Sequence, residues 1–271
     1  MKKIILFLAL ILCLNACSRI DLAVYFADTY VQNKADDYFD LTRDQSKWLK
    51  KALKRDIDIV KKTIFPQLAT ELIRNADIVN SQKTFDIATV QLSYERVRNL
   101  FYNGLRIFSP EAVTFSGKLE ASQVNFFQKE FDKKMRDIKE DDSERDNYKR
   151  MKKHLDSWLG GLTSAQKKEL ESYIHNTPSH VNEKVYNRQL LAHEFVRVFP
   201  DLGARGKFVE GLFTRYESMR EPAYSKLTNE KDRQVITLVT SILNKMTDSQ
   251  RETLIETLRD RANQLIKLSK K

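Results

Sequence analysis

What this chain lacks narrows it most. Its 271 residues include 2 cysteines, 7 glycines, 5 prolines and 4 histidines. Two cysteines allow one disulfide at most, which excludes a disulfide scaffold. So little glycine and proline excludes collagen-like and low-complexity chains. It also argues against a sheet sandwich, whose many turns consume both residues. No segment sustains period-two alternation, and no apolar run reaches the roughly 20 residues that span a bilayer core.

Motifs for chemistry are missing as well. There is no His-Glu-x-x-His pair, nucleophile elbow, phosphate-cradling loop or dinucleotide fingerprint. His154, His175, His180 and His193 read as surface histidines. Asp36, Asp37 and Asp40 lack the turn glycine and closing glutamate of a calcium loop. They read as acids complementing the dipole at the start of the next helix. Asp141 and Asp142 lie in a charged stretch that a solvated face explains. No catalytic residue, cofactor or metal ligand is expected.

What is present begins at the amino terminus. Met1-Lys2-Lys3 is followed by an apolar run from Ile4 to Leu14, then Asn15-Ala16-Cys17-Ser18. A basic start, a short apolar stretch and a small residue before a cut form a secretory signal. Leu14-Asn15-Ala16-Cys17 resembles the bacterial lipobox. The resemblance implies removal of residues 1–16, a diacylglycerol thioether on Cys17 and, in Gram-negative bacteria, an acylated new amino terminus. Cys13 would leave with the signal and Cys17 would carry lipid, so no free thiol or cysteine metal site would remain. By similarity to lipoprotein sorting, Ser18 rather than aspartate implies the outer membrane, with the chain facing the periplasm.

The formal charge of +10 becomes +8 once Lys2 and Lys3 are gone. An intracellular chain this basic would point to nucleic acid. A secreted one points instead to anionic headgroups, envelope polymers or acidic proteins, and before any specific site to a solvated surface with a mild basic excess.

The rest of the chain reads as helices. Ile20, Ala23, Val24, Ala27, Tyr30 and Val31 fall at helical spacing, with Leu22, Tyr25 and Phe26 apolar on another side. That helix is expected to dock into the core rather than onto the membrane. The next carries Trp48, Leu49, Ala52, Leu53, Val60 and Ile64, and Pro66 is expected to kink or end it near Phe65. Helices follow from about Thr84 to Phe108, restarting at Ser109-Pro110-Glu111 with Ser109 as N-cap. The longest is expected over Glu120 to Leu159, running helically through Lys139 to Asn147 and stopping at Gly160-Gly161. Shorter helices cover about Thr163 to His175, Asn182 to Phe199, Gly203 to Met219, Asn229 to Lys245 and Thr247 to Leu268. The expected fold is all-α: an elongated multi-helix bundle with one long central helix, forming a single domain over 17–271.

One motif recurs. Leu41-Thr42-Arg43-Asp44-Gln45, Leu162-Thr163-Ser164-Ala165-Gln166 and Met246-Thr247-Asp248-Ser249-Gln250 share a pattern, with degenerate copies at Leu119 to Gln123 and Leu227 to Lys231. The physics is a capping box: threonine accepts the N–H three residues on, glutamine reaches back, and the leading residue staples. Thr42, Thr163 and Thr247 are expected to be N-caps, paired with Gln45, Gln166 and Gln250. The spacing is too irregular for a solenoid.

The LTxxQ pattern resembles the signature of Spy-type periplasmic chaperones, all-helical cradles that hold unfolded envelope proteins without ATP. More widely, a lipobox, the block from Asp36 to Leu49 and restarts at Leu119 and Leu162 resemble a Gram-negative lipoprotein family of unknown function. The resemblance implies an all-helical envelope lipoprotein and supplies no catalytic residues. Three functions follow as expectations: a non-enzymatic anchored scaffold first, a holdase binding unfolded clients second, and a cell-wall enzyme last. An apolar, basic-rimmed concavity would favour the holdase, and a deep cleft holding a raised-pKa carboxylate the enzyme.

Overall fold

Apolar residues at helical spacing have to find partners, and here one helix supplies most of them. The computed structural model describes residues 17–140 and 144–271. Among the described residues there are helices and no strand: α1 (Cys17–Tyr25), α2 (Ala27–Phe39), α3 (Arg43–Ser81), α4 (Ile87–Ile107), α5 (Ser109–Gly117), α6 (Ala121–Glu140), α7 (Glu144–Leu159), α8 (Ser164–Asn176), α9 (Val181–Val198), α10 (Leu202–Thr214), a 3-10 turn (Tyr216–Met219), α11 (Pro222–Asn244) and α12 (Asp248–Ser269). The arrangement is all-α and elongated.

α3 is the long central helix. Its 39 residues make a rod of about 58 Å at 1.5 Å per residue. It runs through Pro66 to Ser81 rather than ending at Phe65. The proline removes one backbone hydrogen bond and costs about 3 kcal/mol. Leu68, Leu72 and Val79 lie buried beyond it, each contributing about 1.5–3 kcal/mol. Continued burial outweighs the lost bond.

Two apolar clusters share this rod. Leu49 and Leu53 enter an aromatic cluster with Phe115, Phe195, Phe199 and Phe208. Phe39 and Phe127 stack at 5.1 Å on its edge, and Phe127 meets Phe195 edge-on at 5.4 Å. Val60, Ile64, Leu68, Leu72 and Val79 enter the larger cluster, with Ile242, Leu258 and Leu265 opposite. α12 packs along much of α3 there. Arg251 at its start donates to the carbonyls of Val79, Gln82 and Lys83, supplying donors to the carbonyls where α3 ends. Asn244 holds the next turn at two points, accepting the Phe85 N–H at 2.7 Å and donating to its carbonyl at 2.9 Å.

Several boundaries differ from expectation. The acids from Asp36 to Asp40 do not open α3; they close α2. Asp36 accepts the Leu41 N–H at 2.8 Å, and Asp40 takes a left-handed conformation at φ 47° as C-cap, which aspartate tolerates. α4 begins behind Asp86, whose carboxylate accepts the Thr89 N–H. Ser109 is buried inside α5 rather than capping it, because Phe108 stays helical and the chain passes straight from α4 into α5. α11 starts at Pro222, with Glu221 as cap, so Thr228 lies inside a helix and the Leu227 copy of the motif starts nothing.

The long helix expected over Glu120 to Leu159 is described as α6 and α7. The connection through 141–143, and Asp141 and Asp142 with it, lie outside the described residues. The two parts serve different cores: Val124 and Phe127 face the aromatic cluster, Met151, Leu155 and Trp158 the larger one. Gly160 and Gly161 stop α7 with φ of 73° and 140°, which only glycine adopts cheaply.

Asp56 sits in α3 at 5% exposure, and its Oδ2 has no hydrogen-bond partner. Burial lifts its carboxyl to about 6; Glu111 adds to the rise and Arg55 opposes it. A carboxyl raised above its unfolded value stabilises the fold when protonated, and that stability is lost as pH rises towards 6. Between about pH 4 and 7.5 the parent should lose about 2–3 kcal/mol relative to Asp56→Asn. Urea melts of both chains at the two pH values measure this, and a constant gap would show that Asp56 keeps one protonation state.

Candidate functional site

The recurrent motif converges in space. Thr42 Oγ1 accepts the Gln45 N–H at 3.3 Å, and Gln45 Oε1 accepts the Thr42 N–H at 3.0 Å. The same reciprocal box forms between Thr163 and Gln166 and between Thr247 and Gln250. Each satisfies two N–H groups that a helix start otherwise leaves without partners.

The glutamines do more than cap. Gln45 Nε2 donates to Gln123 Oε1 at 2.9 Å, and Gln123 Nε2 donates back to Gln45 Oε1 at 2.8 Å. Gln45 also donates to the Lys118 carbonyl, and Gln123 to those of Phe39 and Asp40. The second pair repeats the arrangement. Gln166 Nε2 donates to Gln250 Oε1 at 3.2 Å and Gln250 Nε2 to Gln166 Oε1 at 2.9 Å. Gln166 also reaches the carbonyls of Ile242 and Lys245, and Gln250 that of Gly161. All four amides are buried, and Gln166 is fully so at 0% exposure.

Each pair joins two helix starts far apart in sequence and sits at the edge of one cluster. Leu41 and Leu119, which lead the first two copies, pack in the aromatic cluster; Leu162 and Met246 pack in the larger one. Gln123 is the member of the network that the motif pattern undervalues. Glu120 stands where the pattern has threonine, yet Gln123 Oε1 still accepts the Glu120 N–H at 2.9 Å. The shared element is glutamine three residues into a helix behind a stapled apolar residue.

The remaining polar features are dispersed. Glu217 accepts from Arg98 and, at 2.7 Å, from the Tyr102 hydroxyl. Burial works to raise its pKa, but these hydrogen bonds and the Arg98 charge hold it below the usual range. Arg205 is 4% exposed, its guanidinium 4.1 Å over the Phe199 ring. His175 and His193 are exposed, His154 and His180 half-buried. Burial and Lys153 lower the His154 pKa. His175 and His180 line a cavity of about 310 Å³ with Arg150, Lys184 and Lys231. Among the described residues no His, Cys, Asp and Glu group is spaced to hold a metal. Asp56, the carboxyl raised to about 6, faces the packed interior and lines none of the described cavities.

The largest described cavity, about 680 Å³, opens where α1 and α2 meet α3. α1 is half docked: Ile20, Val24 and Ala27 beside it are buried, whereas Leu22, Tyr25 and Phe26 are 54%, 76% and 53% exposed. The expected docking into the core therefore holds for one face, and the other stays open. Among the described residues no helix is long and apolar enough to cross a membrane.

Residues 37–225 match DUF6279, a family of unknown function. The chain belongs to this family. No curated protein and no solved structure matches it. The DUF6279 segment holds the first glutamine pair entire but ends before Thr247 and Gln250, so the second pair is completed from beyond it.

Truncating Gln166 strands the Gln250 amide in a buried site. Gln166→Ala should cost about 1–3 kcal/mol, and Thr163→Ala about 0.5–2 kcal/mol. Because the two amides satisfy each other, Gln166→Ala/Gln250→Ala should cost less than the sum of the single changes. Urea melts of the four chains test the coupling, and strict additivity would remove it.

Proposed function

We propose that this protein is a non-enzymatic scaffold, anchored to the outer membrane through lipid on Cys17 and facing the periplasm. The observation that carries the reading is how soon the core follows Cys17: Ile20, three residues on, is 1% exposed in the larger cluster. The first residues after the anchor are thus folded into the domain, which suits a chain that holds a surface at a set position beside its membrane. The Leu14 to Cys17 tetrad supplies the lipid site, and Ser18 favours outer-membrane delivery. The threonine and glutamine side chains of the LTxxQ copies are spent on caps and on each other, so their work here is structural.

A second reading has its own support. The cavity beside α1 has an apolar wall of Leu22, Val24, Tyr25, Phe26 and Ile57 and a rim in which four lysines outnumber Asp21, Asp28 and Asp58, which leans towards the form expected of a Spy-type holdase.

Labelled palmitate should enter the wild-type chain and be absent from Cys17→Ser; labelling of the variant would overturn the lipid site. The labelled protein should travel with outer membranes on a density gradient, and recovery with inner membranes would overturn the destination. Light scattering of an unfolding client separates scaffold from holdase: the scaffold reading expects no protection, and protection at equimolar protein would hand the function to the second reading.

A further inference from the structure

The open face of α1 lies beside a row of lysines. Leu22, Tyr25 and Phe26 form one wall of the 680 Å³ cleft, and Lys50 and Lys54 of α3 line the other. Tyr25 and Phe26 meet edge to face at 4.9 Å. Tyr25 is the most exposed large apolar residue described. Lys50 and Lys54 are exposed and make no ion pair among the described residues, whereas Lys61 is held by Asp58 at 3.0 Å and Lys271 by Asp21 at 3.9 Å. Lys47 and Lys51 extend the basic character along the same helix and are exposed too.

We propose that this cleft is a membrane-docking surface, which lays Leu22, Tyr25 and Phe26 into the interface of an anionic phospholipid bilayer while Lys50 and Lys54 meet its headgroups. Two observations select a bilayer over other occupants. The first is chemistry: an aromatic and leucine wall beside unpaired lysines matches an interface that is apolar below and anionic above, and of the cleft's carboxylates Asp21 and Asp58 are engaged by Lys271 and Lys61 while Asp28 accepts the Thr29 N–H. Tyrosine in particular places its ring at headgroup depth with its hydroxyl in water. The second is position. Leu22 to Phe26 follow Cys17 by 5 to 9 residues, about 8–14 Å along a helix. The proposal rests on the anchoring above for what brings the bilayer near; its chemistry does not need the lipid. A surface docked beside the anchor would fix the domain's tilt, which one flexible lipid tether cannot do.

The test uses the chain from Ser18 onward, which keeps every described residue of both core clusters, since these begin at Ile20. It carries no acyl group, so its binding is independent of Cys17. Co-sedimentation with phosphatidylcholine vesicles containing phosphatidylglycerol should be measurable, should weaken with salt and should be lost on pure phosphatidylcholine. Leu22→Ser/Tyr25→Ser/Phe26→Ser should weaken it about tenfold or more, and Lys50→Gln/Lys54→Gln about fivefold per lysine. Tyr186→Ser/Leu190→Ser, which removes exposed apolar residues of α9, should change nothing. Because all these positions are exposed, circular dichroism and urea midpoints should match the parent.

No binding by the parent, equal binding to neutral vesicles, or binding unaffected by the cleft substitutions overturns the proposal. A dimer that the triple substitution dissolves gives the face to a second copy. Client protection lost in the cleft variants while vesicle binding persists gives it to an unfolded chain. Vesicle binding with no palmitate on Cys17 overturns the anchor and leaves the surface standing.

Discussion

Two primary amides facing each other, each donating to the other's oxygen, hold this molecule in register. An amide carries donors and an acceptor, so a reciprocal pair is satisfied only by another amide in the opposite sense. Gln45 with Gln123 and Gln166 with Gln250 meet that condition. Each pair also closes a capping box and takes carbonyls at the ends of two further segments, so helix starts and helix ends meet at one buried point. The apolar clusters supply the larger stabilising term, but apolar contacts are non-directional. The amides specify which helix starts belong together, because a buried amide left unmatched would bear its full desolvation cost.

Much of this was legible in the sequence. Capping boxes are local, written within four residues, and so Thr42, Thr163 and Thr247 could be read as helix starts without any knowledge of the fold. The helical spacing of Leu49, Leu53, Val60 and Ile64 likewise showed the buried face of α3. What could not be read was pairing. Nothing in the spacing says that Gln45 finds Gln123, 78 residues away, rather than Gln166, since all four stand in the same local pattern. Pro66 misled for a related reason: its local cost is visible, whereas the burial that exceeds it depends on α12, nearly 200 residues on. The acids at Asp36 to Asp40 suggest a helix start because acid at an N-terminus is the commoner arrangement, and only the left-handed Asp40 marks a C-terminus.

The candidate docking surface was half visible. Leu22, Tyr25 and Phe26 stood out as apolar on a second side of the first helix. Which side would be covered depended on where α3 and α12 lay. Once Ile20 and Val24 enter the larger cluster, the other three are turned towards Lys50 and Lys54. The site therefore arises from docking and belongs to no single element. A family match over 37–225 begins after α1, so the cleft joins a shared α3 to a helix outside the matched segment.

The length of α3 has a mechanical consequence. A helix clamped by two cores, with no glycine along it and its one proline half-buried between the buried Phe65 and Leu68, has no free place to hinge. Displacement at its first turns, beside the α1 cleft, is delivered to its last turns about 47 Å or more away, where Asn244 and Arg251 grip the chain. The protein would therefore behave as a strut: its far end holds a set standoff and orientation relative to whatever its near end touches, and load at one end is felt undamped at the other.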